Sequence, residues 1–343
     1  MAKTSSRGND PVSVAVIGAS GFVGAAIVRA LAEAPNKRPI ACMRRPSSEL
    51  AGLGVEMRLC DATNETALAE TLADATFAVN CVMGSESTLL AATRSLCRVA
   101  LRGGPRRVVH ISSMDVYGAP SRGIVDETTP MRPTRTYGRA KAECEQIVHD
   151  FVSAGGDAVL LRPGCVYGPG GEQWVGRIAR WLQQGRIGQM GAAACGQCNL
   201  AFSDDLAAAV LACLTVEGAR GQVINVCDGE EATWNDYFLD LGRAIGAAVR
   251  SVSSLRLTVE SRILAPPLQS AKILGRRFGL QPGALPEPIT PSLLPLWRQA
   301  MRLDGRKADS LLGIRRTRRT VGVAASAAWY CSVANEHNGE RPL

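Results

Sequence analysis

Histidine is scarce in this sequence. His110, His149 and His337 are the whole complement in 343 residues, too few and too scattered to complete a zinc set around the CxxC spacing of Cys195 and Cys198. The other cysteines bring the total to eleven but lack a repeating spacing, which argues against a disulfide framework and for a reducing compartment. A redox CxxC opens a helix after a strand. Here the chain runs on into Asn199-Leu200-Ala201-Phe202, which reads as extended, so both thiols are expected to pack rather than react. Aromatic residues are only 5% of the chain. Without aromatics interleaved among basic residues, or a recognisable module, the net charge of +8 does not read as a nucleic-acid footprint. Much of that excess lies in Arg315, Arg316, Arg318 and Arg319, which reads as a solvated surface. No apolar run approaches the length of a bilayer span, and the polar start, Met1 to Asp10, lacks the apolar stretch of a signal peptide. The expectation is a cytoplasmic protein with neither a nucleic acid nor a membrane as partner.

Strands and helices alternate with short connections. Val12 to Ile17 is a β-branched apolar run and reads as a buried strand. Helical spacing follows from Gly24 to Ala34, stopping before Pro35. Further strands are predicted at Ile40–Met43, Val55–Leu59, Phe77–Val82, Arg107–Ile111, Ala158–Leu161 and Val223–Val226. Helices are predicted at Thr66–Leu72, Leu89–Leu101, Tyr137–Val152 and Ser203–Leu214, the last capped by Ser203-Asp204-Asp205. This alternation predicts an α/β fold with a parallel sheet covered on both faces. The stretch from Ala265 to Pro295 breaks the pattern. Prolines at 266, 267, 282, 286, 288, 291 and 295 argue against a long regular element there and suggest a cap over a pocket.

After the first strand comes Gly18-Ala19-Ser20-Gly21-Phe22-Val23-Gly24. Glycines at such a turn let backbone N–H groups approach a dinucleotide pyrophosphate, which then sits at a helix N-terminus. The spacing is GxxGxxG rather than the commoner GxGxxG. The second strand ends Cys42-Met43-Arg44-Arg45-Pro46, with no carboxylate until Glu49. Two arginines there suit a 2′-phosphate, so NADP(H) is expected ahead of NAD(H).

Tyr137 and Lys141 stand four apart at the start of a predicted helix and share one face. A neighbouring ammonium favours the phenolate and would bring a tyrosine, ordinarily near pKa ~10, closer to use as an acid/base. Ser112 and Ser113 follow the fifth strand directly, and the carboxyl ends of strands in such sheets face the ligand crevice.

Together these motifs resemble the extended short-chain dehydrogenase/reductases of the epimerase/dehydratase-like branch. Carrying the resemblance are Gly18 to Gly24, Asp61, Ser113, Tyr137 and Lys141, then Leu161-Arg162-Pro163-Gly164-Cys165-Val166-Tyr167-Gly168-Pro169-Gly170, Phe202 to Ala207, Asn225-Val226 and Lys307 to Gly313, with a last helix through Trp329-Tyr330. The resemblance spans nearly the whole chain. It implies a Rossmann-type doubly wound core over 1–164 and a smaller, mainly substrate-binding region over 165–343, with 200–227 returning to the core. It implies that Ser113 polarises the reacting oxygen, Tyr137 is the acid/base, and Lys141 binds the ribose and tunes the tyrosine. The dinucleotide would meet Gly18, Ser20, Gly21, Phe22, Val23, Arg44, Arg45, Asp61, Ala62 and Val82, as well as Tyr137 and Lys141, with Pro163 and Val166 near the nicotinamide and no metal. Tyr117 and Tyr167 read as packing residues, and His110 as a core residue or one behind the site.

Departures narrow the reading. Sugar-nucleotide enzymes of the branch often have asparagine where Cys165 stands, and its dehydratases place Asp-Glu where Met114-Asp115 stand. Asn80-Cys81-Val82-Met83-Gly84 also departs from the usual alanine-rich segment. The leading expectation is an NADP(H)-dependent reductase or dehydrogenase acting on a carbonyl or secondary alcohol of a small, moderately hydrophobic metabolite. A nucleotide-sugar epimerase or dehydratase using the same triad is the alternative, and a non-catalytic dinucleotide-binding regulator is a third. The resemblance also implies a homodimer formed through Leu89–Leu101 and Tyr137–Val152.

Overall fold

The computed structural model describes residues 11–118, 123–277 and 286–339. Met1–Asp10 and Pro282, to which expectations were attached, lie outside the described residues. The strands, in chain order, are β1 (Val12–Ile17), β2 (Lys37–Met43), β3 (Glu56–Leu59), β4 (Phe77–Asn80), β5 (Arg107–Ile111), β6 (Gly123–Val125), β7 (Ala158–Pro163), β8 (Cys165–Tyr167), β9 (Leu200–Phe202), β10 (Val223–Val226) and β11 (Met301–Leu303). The helices are α1 (Phe22–Glu33), α2 (Ser48–Ala51), α3 (Glu65–Thr71), α4 (Glu86–Leu101), α5 (Thr136–Ser153), α6 (Arg177–Gln183), α7 (Ser203–Thr215), α8 (Trp234–Ala244), α9 (Ser254–Thr258), α10 (Ala265–Arg277), α11 (Leu293–Trp297), α12 (Arg306–Leu312) and α13 (Arg319–Gly339).

Seven strands form one sheet in the order β10-β7-β5-β4-β1-β2-β3, and every pairing in it is parallel. This is a Rossmann-type doubly wound sheet. Successive side chains of β1 serve opposite faces: Val14 and Val16 pack with α1 and α7, whereas Ala15 and Ile17 pack with α3, α4 and α5. The strand order reverses between β1 and β4, and in open α/β sheets that reversal opens a ligand crevice at the carboxyl ends.

Two small sheets, β6 with β11 and β8 with β9, tie the later part of the chain to the end of the core. The few aromatics gather there. Trp181, Trp234, Trp297, Tyr237 and Phe238 are fully buried and meet mostly edge-on or tilted, the arrangement favoured by ring quadrupoles.

Three local expectations are corrected. The proline-rich stretch contains a regular helix, α10. Pro266 and Pro267 sit in its first turn, where a missing N–H costs little, and the wider π-turn Val259–Leu264 precedes them. None of the described residues of the stretch borders the cleft at the carboxyl ends of β1, β2 and β4. Ser203 does not cap α7: Phe202 occupies the cap position with no side-chain bond, and Asp205 instead accepts hydrogen bonds from the Thr317 backbone N and hydroxyl at 2.8 and 2.6 Å. The arginine run near the end is only partly solvated, because Arg316 pairs with Asp309 and Arg319 with Glu230 and Asp240.

Candidate active site

A cleft of about 480 Å³ opens at the carboxyl ends of β1, β2 and β4. Of the residues predicted to hold a dinucleotide, it brings together Gly18, Ser20, Gly21, Arg44, Arg45, Asp61, Ala62 and Val82. Cys42, Cys60, Met83 and Thr88 also line it. Phe22 and Val23 stand just outside that lining. Phe22 lies against Gly170 and Gly171, and Val23 packs on the sheet. Pro163 ends β7, and Val166 pairs with Ala201 between β8 and β9.

The three glycines of the loop have different physical reasons. Gly18 has φ +83°, and a Cβ there would lie 2.8 Å from the Cys81 carbonyl oxygen. A Cβ on Gly24 would approach the Gly18 oxygen to 2.4 Å. Both are therefore required by the fold itself. A Cβ on Gly21 meets nothing closer than 3.4 Å, yet Gly21 borders the cleft, so its bare backbone leaves room for a ligand rather than for protein. The N-terminus of α1 has no side-chain cap and no acidic residue in its first turn, which leaves amide donors for an anion. These features fit a dinucleotide pyrophosphate.

Arg44 and Arg45 are exposed at the end of β2 and make no ion pair among the described residues. The nearest carboxylate in sequence, Glu49, is taken up by Arg29. Asp61 lies across from Arg44 and is held below the usual carboxylate range, first by hydrogen bonds from the Thr63 backbone and hydroxyl and in part by Arg44.

Ser113 follows β5, its hydroxyl accepting from the Asp115 backbone N at 3.1 Å. Tyr137 and Lys141 lie in the first turns of α5. Burial pushes the Tyr137 phenol up to about 12, with the Ser113 hydroxyl beside it opposing the rise. The Lys141 Nζ donates to the Ile111 carbonyl at 2.8 Å and lies 5.9 Å from the centre of the Tyr137 ring. Lys141 is itself buried, which lowers its pKa.

Several residues around the triad escaped the sequence reasoning. The Tyr137 hydroxyl faces the Met83 sulfur at 3.8 Å. Behind Ser113, the Ser112 hydroxyl donates to Glu145 at 2.5 Å, and Glu145 forms a buried ion pair with Arg162. Arg162 donates to the Tyr117 hydroxyl, which donates to Asn225. This chain of bonds ties β5, β7, β10 and α5 together beneath the site. A signal existed: Arg162 is a charge in an otherwise apolar strand, and such a charge must find a partner. Tyr117, read as packing, is therefore also a hydrogen-bonding member of the support. His110 is buried with Nδ1 3.1 Å from the Asn80 amide nitrogen, and burial followed by Lys141 keeps it neutral. Cys195 is exposed, not packed, whereas Cys198 is buried. Among the described residues no group of His, Cys, Asp and Glu could hold a metal ion.

The sequence profile described as "NAD dependent epimerase/dehydratase family" matches residues 14–227. The chain belongs to this family. It is an NAD(P)-dependent enzyme of the extended short-chain dehydrogenase/reductase type. Among curated relatives, the 2'-dehydrokanamycin reductase of Streptomyces kanamyceticus is 28% identical over 276 residues, 77% of this chain and 74% of the relative. The sterol demethylase protein B of Methylococcus capsulatus is 28% identical over 338 residues, 92% of this chain and 97% of the relative. The fold matches the UDP-glucuronic acid 4-epimerase of Bacillus cereus in complex with NAD, with a TM-score of 0.71 at 18% identity, covering 94% of this chain and 99% of that one. It also matches the dTDP-glucose 4,6-dehydratase of Streptomyces venezuelae with NAD bound, with a TM-score of 0.73 at 21% identity, covering 95% and 98%.

Proposed function

We propose that the protein is an NADP(H)-dependent oxidoreductase that moves a hydride between the nicotinamide and a carbonyl or secondary alcohol of a small, moderately hydrophobic metabolite. The observation that carries this reading is the unpaired Arg44–Arg45 pair on the cleft wall. Guanidinium groups in that position suit the 2′-phosphate of an exchangeable reductant. When bound, the nicotinamide supplies or takes the hydride. Ser113 orients the substrate oxygen. Tyr137, protonated at neutral pH because burial holds its pKa near 12, donates its proton to that oxygen as the carbonyl becomes an alcohol, and recovers it in the reverse direction. Lys141 is fixed by the Ile111 carbonyl beside the tyrosine, in reach of a ribose. Pro163 and Val166 form the nicotinamide side.

Two observations favour this over the nucleotide-sugar reading. Met114 is buried in the apolar core, and the Asp115 carboxylate accepts from the Gly138 backbone at the start of α5 and lies 3.7 Å from Arg135. The acidic pair of the family's dehydratases is thus half replaced and half committed to structure. Cys165 is a buried thiol among apolar neighbours, unsuited to holding a diphosphate. The intact Ser113, Tyr137 and Lys141 weigh against a regulator without activity.

The test follows reduced-nicotinamide absorbance with candidate ketones and sugar nucleotides. Steady NADPH oxidation by a ketone is expected. Conversion of a sugar nucleotide without net nicotinamide turnover would establish the epimerase/dehydratase reading instead. The eleven free cysteines support a cytoplasmic setting, and the homodimer through α4 and α5 rests on the family resemblance and is testable by light scattering.

A further inference from the structure

The helical run from Ser254 to Arg277, through α9, the π-turn Val259–Leu264 and α10, is arranged inside-out. Its inward face buries Leu257, Glu260, Ser261 and Ala265, with Glu260 ion-paired to Arg186. Its outward positions carry Leu255, Ile263, Leu264 and Leu274, which are 76, 62, 43 and 59% exposed. A soluble helix normally shows the reverse, with the apolar stripe on the core. Among the described residues α10 packs chiefly on the π-turn that precedes it, and all four stripe side chains stay open to solvent. Exposed Arg250, Arg256 and Arg262 flank it and form no ion pair among the described residues. Residues 250–277 hold a single acidic side chain, Glu260, and it faces inward.

The geometry points to an anionic lipid surface as the partner of this face. The aliphatic stripe would enter the headgroup boundary while the arginines meet lipid phosphates, the combination that defines an interfacial helix. A second copy of the chain would oppose like charges. A nucleic acid would gain nothing from bare leucine and isoleucine, since stacking requires aromatics. The expectation of no membrane partner rested on the lack of a spanning run, and among the described residues no helix is long and apolar enough to cross a membrane. A helix lying on the surface needs no such run.

The test uses the full chain with extruded vesicles of equal phosphatidylglycerol and phosphatidylcholine, beside phosphatidylcholine alone. Cosedimentation with the anionic vesicles is expected, weakening as salt is raised. Ile263→Glu/Leu274→Glu, and separately Arg256→Glu/Arg262→Glu, should each reduce it at least about tenfold with dinucleotide binding and melting temperature unchanged. Both pairs are exposed and outside the cleft, so a folding defect would show in those two controls. Absence of vesicle binding, equal binding to neutral vesicles, or binding unaltered in both variants would overturn the proposal. So would a wild-type dimer that the Ile263→Glu/Leu274→Glu substitution dissolves, because the stripe would then face a second copy.

Discussion

Lys141 directs its ammonium at the Ile111 carbonyl, 2.8 Å away, while standing 5.9 Å from the centre of the Tyr137 ring. The cation is held in place by the end of β5 rather than by the phenol. Burial pushes the tyrosine phenol up to about 12, and this sets the direction of its pH dependence.

Because the phenol must be protonated to serve as an acid, ketone reduction should stay level from neutrality to about pH 11 and fall as pH passes about 12. Alcohol oxidation, which needs the phenolate, should rise over the same range. Tyr137→Phe should lower kcat by roughly 10²–10⁴-fold with dinucleotide affinity within a few-fold of wild type. Steady-state pH profiles in both directions check this; a reduction rate that already falls between pH 7 and 9 would refute the high pKa.

Arg44→Ala/Arg45→Ala should raise the KM for NADPH by about 10–100-fold while leaving that for NADH within a few-fold, the loss of charge-assisted bonds worth roughly 1.5–3 kcal/mol. Parallel titrations with the two cofactors measure it. An equal effect on both would place the arginines away from the 2′-phosphate.

The glycines of the loop should separate stability from binding. Gly24→Ala drives a Cβ to 2.4 Å from the Gly18 oxygen and should destabilise the fold by about 1–3 kcal/mol. Gly21→Ala meets only an ordinary contact and should keep the melting temperature while weakening dinucleotide binding. Thermal unfolding and fluorescence titration of each variant distinguish the two effects.

Asp228 is buried and raised to about 7, first by desolvation. Between about pH 4 and 7 the folded protein holds a proton that the unfolded chain releases, so stability contributed by this group is present at low pH and is lost as pH rises to 7. Asp228→Asn should remove that slope and stabilise the protein above pH 7 by up to about 4 kcal/mol. Denaturant melts of both proteins at pH 5 and 8 provide the comparison, and identical pH dependence would refute it.

The parallel sheet and the places where chemistry sits on it are legible in the residues alone. Alternating apolar runs, a glycine turn after β1, and polar residues at strand ends are local patterns that only one class of fold satisfies. Tertiary structure decided what depends on distant neighbours. Whether Lys141 acts on Tyr137 or on Ile111 turns on how α5 is seated against β5, since a four-residue spacing fixes a shared face but not the partner. Which loop glycine serves the fold and which leaves space follows from the approach of Cys81 and Gly18. Pro266 and Pro267 look like breakers in sequence, yet they open a helix because a π-turn precedes them. The outward aliphatic stripe along Ser254–Arg277 is equally hidden in sequence, since a residue's face is known only once its helix has something to lie against.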